Sequence, residues 1–152
     1  MDFKPIAILA LALLLFGCPG QKWDIYTNEK FSVSYPAGKI EQTAGDEVFK
    51  VSDGLCQLTV TKISGQPSFD AFVTYIKGIY SDTEGVSLAS EKITGSSAEF
   101  RVLADAEEHS YKAEIKMIPC GEKTVYITMF ACAEGWYDQE NSERALGSVQ
   151  CK

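Results

Sequence analysis

The chain has 152 residues, 45% of them hydrophobic, with a formal net charge of −7 and a single histidine. That length fits one domain with a real core. The acidic balance argues against nucleic acid as a partner and against docking flat on anionic lipid.

Near the start, Lys4 supplies a small positive region and Ile6 to Phe16 form an uninterrupted apolar run. The run is too short for the roughly 30 Å hydrocarbon core, which needs about 20 apolar residues, and it has the layout of a cleaved export signal. The tetrapeptide Leu15-Phe16-Gly17-Cys18 that closes it resembles the lipobox of prokaryotic lipoproteins. The resemblance implies cleavage before Cys18, acylation of its sulfur and residence on the extracytoplasmic face of the cell membrane. The alternative is an ordinary signal peptide in which Cys18 is incidental. Against it, the small-x-small site Ala10-Leu11-Ala12 lies inside the apolar run, not after it. Residues 1–17 are therefore expected to be a lipoprotein signal peptide, 18–28 a tether carrying lipidated Cys18, and 29–152 the folded domain.

Strict apolar–polar alternation from Phe31 to Tyr35 predicts a half-buried strand, which Pro36-Ala37-Gly38 ends. Val48–Val51 and Leu55–Ile63 read as two further strands around the turn at Asp53-Gly54. Ser68 is a suitable N-cap for a helix whose stripe is Phe69, Phe72, Val73, Ile76, Ile79 and Tyr80. Four strands follow, at Ser87–Ile93, Ala98–Ala104, Tyr111–Ile118 and Lys123–Cys132, the last apolar on nearly every residue. A weaker helix closes the chain, with Ser142, Ala145, Leu146 and Val149 on one face.

With Cys18 assigned to lipid, Cys56, Cys120, Cys132 and Cys151 form an even set in an exported domain, where disulfides persist. Metal binding would want closer spacing and more histidines. Four cysteines allow three pairings, and sequence alone leaves all three open. The element order favours two of the links. A closing helix rises only about 1.5 Å per residue against about 3.3 Å for the preceding strand, which brings Cys151 back beside Cys120. Cys56, on an apolar face with Leu58 and Val60, then remains for Cys132.

Strands, a helix, a run of antiparallel strands and a closing helix make an α+β order. Tyr26 with Glu29-Lys30-Phe31-Ser32-Val33-Ser34-Tyr35-Pro36-Ala37-Gly38 resembles the opening motif of the PsbP-like family. Ile93-Thr94-Gly95 followed by Ala98, and Val125-Tyr126-Ile127-Thr128, resemble later landmarks of that family. The resemblance implies a single antiparallel sheet with helices packed on it, and a non-enzymatic accessory role. The family's plant members are extrinsic photosystem II subunits, and its prokaryotic members include exported lipoproteins. Two departures stand out: Lys39 replaces a common Trp, and Ser148-Val149 replaces Ser-Phe. Each implies the loss of an aromatic core anchor.

No nucleophile elbow, zinc-protease motif or phosphate loop is present in the sequence. Asp105, Glu107, Glu108 and His109 offer oxygen ligands to a hard cation, but a solvated hairpin tip accounts for them more simply. Trp136 and Tyr137 read either as an exposed contact site or as the partly buried start of the last helix. The expectation is a membrane-anchored binding or accessory module with no metal, cofactor or nucleic acid. It would bind the membrane through Cys18 and take a protein or small-ligand partner. The alternatives are an enzyme whose site is not recognisable from sequence, or a structural envelope protein.

Overall fold

The computed structural model describes residues 22–66, 68–106 and 109–152; the signal segment and Cys18 lie outside them. Strands β1 (Trp23–Thr27) and β2 (Phe31–Pro36) pair antiparallel, and the short β10 (Gln150–Cys151) adds to the other edge of β2. A second sheet holds β3 (Lys39–Ile40), β4 (Glu47–Ser52), β5 (Cys56–Ser64), β6 (Val86–Ile93), β7 (Ala98–Ala106), β8 (His109–Pro119) and β9 (Thr124–Ala133). Its spatial order is β3-β4-β5-β9-β8-β7-β6, with every pairing antiparallel. Helix α1 (Phe69–Asp82) links β5 to β6, and α2 (Gln139–Gly147) follows a 3-10 turn at Glu134–Trp136.

The α+β class is as expected, but the single sheet is corrected to two. The reason lies in β2. Its buried residues Phe31, Val33 and Tyr35 pack face to face on Phe49, Leu58 and Phe130 of the large sheet. Alternation shows that a strand buries one side, not whether its partner lies beside it or across from it. The end of the expected tether is likewise sheet, since Trp23–Thr27 is β1. Val149, expected on the last helix, is buried just beyond its end, before β10.

The large sheet carries a core on each face. On one, β2 and α2 cover Phe49, Val51, Leu58, Val60, Tyr126 and Phe130. Aromatic contacts bind this layer, with Phe31 and Tyr126 ring centroids 5.1 Å apart and Tyr26 stacked on Phe49 at 4.4 Å. On the other face, α1 sets Phe72 and Val73 against Phe100, Val102, Ile115 and Met117. The Ser68 hydroxyl accepts the Ala71 N–H at 3.2 Å and so caps α1. Of the expected stripe, Ile79 turns outward, 42% exposed.

The Asp53-Gly54 turn forms as its composition implies. Gly54 sits at φ 93°, and Asp53 Oδ1 accepts the N–H groups of Leu55 and Cys56 at 2.9 and 2.7 Å. Two disulfides staple the fold, one within the large sheet and one between the sheets. Cys56–Cys132 joins register partners on β5 and β9, with Cα atoms 4.1 Å apart. Cys120–Cys151 ties the β8–β9 turn to β10, and so fixes the small sheet to the large one. These are the two links the element order favours. Lys39 is exposed in β3, so its site belongs to neither core, while Val149 is buried.

Candidate binding site

Helix α2 covers the face of β8 and β9 but stops short of β6 and β7, leaving a cavity of about 300 Å³ along its flank. Ser90, Lys92, Glu99, Arg101 and Glu114 line the sheet side, and Glu143, Leu146 and Gly147 the helix side. A β-bulge shapes the outer edge. Leu88 pairs with Val102 but Ser90 pairs with Arg101, so Ala89 is the extra residue. That insertion reverses the alternation of β6 and brings Ser90 and Lys92 onto the cleft face. Glu91 is left on the opposite face, where it meets Lys77 of α1 at 2.5 Å.

The cleft floor is a polar network centred on Glu114. Arg101 and Glu114 are register partners on β7 and β8. Arg101 donates from Nε to Glu114 Oε1 at 2.8 Å, and its terminal nitrogen contacts the same oxygen. Ser142, in the first turns of α2 and fully buried, donates to Glu114 Oε2 at 2.6 Å. Burial alone would raise the Glu114 pKa. The Ser142 and Arg101 hydrogen bonds, with the guanidinium charge, outweigh it and hold the carboxyl below its ordinary value. Arg101 is raised in turn, chiefly by its bond to Glu114, and stays ionised. Tyr137 closes the network from the 3-10 turn, with Lys112 Nζ 4.2 Å from its ring centroid. Its buried hydroxyl makes no hydrogen bond of full geometry, yet it feels Ser142 and Glu114. Burial first, opposed by Ser142 and reinforced by the polar contact with Glu114 and its charge, pushes it up to about 12.

The Ser142 hydroxyl is sealed from solvent and committed to Glu114, and Glu114 is too weak a base to activate it. Arg101 and Glu114 offset each other, and the rim presents Lys92 and Glu143 to whatever enters.

Other residues singled out in the sequence fall elsewhere. Asp105 and His109 flank the β7–β8 hairpin tip, both exposed, and Ser110 donates to Asp105 Oδ1 at 2.8 Å. Glu107 and Glu108 lie outside the described residues. Among the described residues, no group of three or more His, Cys, Asp or Glu gathers to hold a metal ion. Trp136, read as an exposed contact or a partly buried helix start, is 64% exposed, whereas Tyr137 is half-buried. Sequence reasoning missed Arg101 and Glu114, and placed Ser142 on the inward face of the last helix without its bond to Glu114. The signal was weak, because Arg101 shares β7 with Glu99 and Asp105, and Glu114 shares β8 with Lys112 and Lys116, so neither stands out by charge alone.

No protein-family model matches the chain, and no curated protein does. Solved structures do match. A Bacteroides thetaiotaomicron protein aligns with a TM-score of 0.57 at 15% identity, over 87% of this chain and 48% of its own. The chain thus spans about half the length of that protein. The Saccharomyces cerevisiae Ran-binding protein Mog1p aligns at 0.52 and 10% identity, over 84% and 86% of the two chains. LpqN of Mycobacterium tuberculosis, involved in cell envelope biogenesis, aligns at 0.51 and 10% identity, over 90% and 87%. These likenesses show the fold, an α+β arrangement of the Mog1/PsbP-like kind.

Proposed function

We propose that this chain is a lipid-tethered, extracytoplasmic member of the PsbP-like family that acts as a non-enzymatic binding module. Its partner is a protein that places a charged segment in the cleft between α2 and β6–β8. The observation that carries the reading is the cleft itself: about 300 Å³, open, lined by both signs of charge, over a floor whose hydrogen bonds are already made. A preformed, mixed-charge groove suits a polypeptide segment with complementary charges. Two disulfides support an oxidising compartment, and the Leu15-Phe16-Gly17-Cys18 sequence supports the anchor. The Ran-binding activity of Mog1p and the envelope role of LpqN fit a protein-binding use of this fold.

The test is affinity capture from detergent-solubilised membranes with the wild type and with Lys92→Glu and Ser90→Arg, followed by mass spectrometry. A partner retained by the wild type and lost with both cleft variants supports the reading. Equal capture by all three contradicts it.

A further inference from the structure

We infer that the end of the domain carrying Leu55 and Trp136 is a membrane-contact surface that rests in the interfacial zone of a zwitterionic bilayer. The inference rests on the proposed Cys18 anchor, and three observations place this end against the lipid. First, Lys22 lies four residues after Cys18, a span of at most about 14 Å when extended. Second, the chain enters the fold at this end: Lys22 O accepts the Ala37 N–H at 2.7 Å, and Trp23 pairs with Pro36. Pro36 lines one shallow depression together with Leu55 and Trp136. Third, large apolar side chains stand exposed here, with Trp136 at 64%, Leu55 at 46% and Tyr111 at 41%. Leu55 bridges the other two, since it also borders a groove with Tyr111.

Trp and Tyr favour the membrane–water interface, where an apolar ring and a polar group are both satisfied. Of the carboxylates beside them, Glu134 is exposed in the turn that carries Trp136 and limits contact to headgroup depth, and two others are held by backbone N–H groups. Asp53 is occupied in the turn, and Asp138 accepts the Asn141 N–H at 2.8 Å as the cap of α2. The net charge of −7 makes the match zwitterionic, not anionic. The surface is rigid because the Cys56–Cys132 bridge lies directly beneath it, with Cys56 Sγ 3.7 Å from the Trp136 carbonyl. Cleft and contact surface are separate, so a domain resting on this end leaves the cleft free.

The test uses the mature lipidated protein in phosphatidylcholine vesicles containing a phospholipid brominated near the headgroup. Trp23→Phe leaves Trp136 as the single tryptophan; the difference between wild type and Trp136→Phe gives the same reading if that variant folds poorly. The expected result is a blue shift and quenching of Trp136, most of it lost in Leu55→Glu while the protein still floats with the vesicles. Flotation with water-like, unquenched Trp136 would overturn the inference and leave the anchor standing, and cross-linking of position 136 to a protein would do the same. Failure to float would remove the anchor, and the inference with it.

Discussion

Glu114 accepts hydrogen bonds from Arg101 and Ser142, so its carboxyl titrates below its ordinary value in the folded chain. The native state therefore holds its charge to lower pH than the unfolded state does. The resulting stability is complete above the ordinary carboxylate pKa and disappears as pH falls through the folded-state value. Glu114→Gln should cost about 1–3 kcal/mol at neutral pH. Urea midpoints of variant and wild type should converge as pH falls from the ordinary carboxylate range through the folded-state value; a gap independent of pH would contradict the assignment. Thr128 makes the opposite case. Its side chain is fully buried on β9, and its hydroxyl has no hydrogen-bond partner among the described residues. Thr128→Val should therefore raise stability by about 1 kcal/mol, and a loss of stability would show that the hydroxyl is paired.

Between elements, the two disulfides differ in the chain they close. Cys56–Cys132 spans 76 residues and Cys120–Cys151 spans 31. Removing either should cost about 2–5 kcal/mol, with the longer loop contributing about 0.8 kcal/mol more in the chain-entropy description. Denaturant unfolding of the two double Cys→Ala variants measures the order, and a larger loss on removing Cys120–Cys151 would show that linking the sheets outweighs loop length. Strand and helix rise favoured Cys120–Cys151 from local geometry, whereas Cys56–Cys132 was reached only as the remaining pair, because it depends on β5 lying beside β9. The strand at Phe31–Tyr35, the Asp53-Gly54 turn and the Ser68 cap were legible because each is set by residues adjacent in sequence. The division into two sheets was not, because β2 chooses between neighbours far away in sequence. The bulge at Ala89 was also hidden, as it is defined only by the register against β7. Arg101 and Glu114 were legible in principle, since they sit opposite each other across one hairpin. Ser142 reaches Glu114 only once α2 has packed, 28 positions further along the chain.

At the scale of the molecule, three regions have separate uses. The sealed cores and bridges hold the shape; the end bearing Trp136 and Leu55 is the surface we propose for the membrane, and the flank of α2 the one we propose for the partner. Gly85 shows how closely the frame is fitted. At φ 76°, it would place a Cβ 2.9 Å from the Asp105 carbonyl, whose own N–H bonds back to Gly85 at 2.8 Å. A rigid frame with an open, charged cleft can recognise a partner without rearranging. The most direct measurement is site-specific photocross-linking in intact cells, with the photoreactive residue at position 92 in the cleft or at position 50 on the opposite face of β4. A discrete protein adduct from position 92 that is absent from position 50, and that fractionates with the membrane unless Cys18 is changed to Ser, is the predicted result. Identical adducts from both positions, or none from position 92, would contradict a binding cleft.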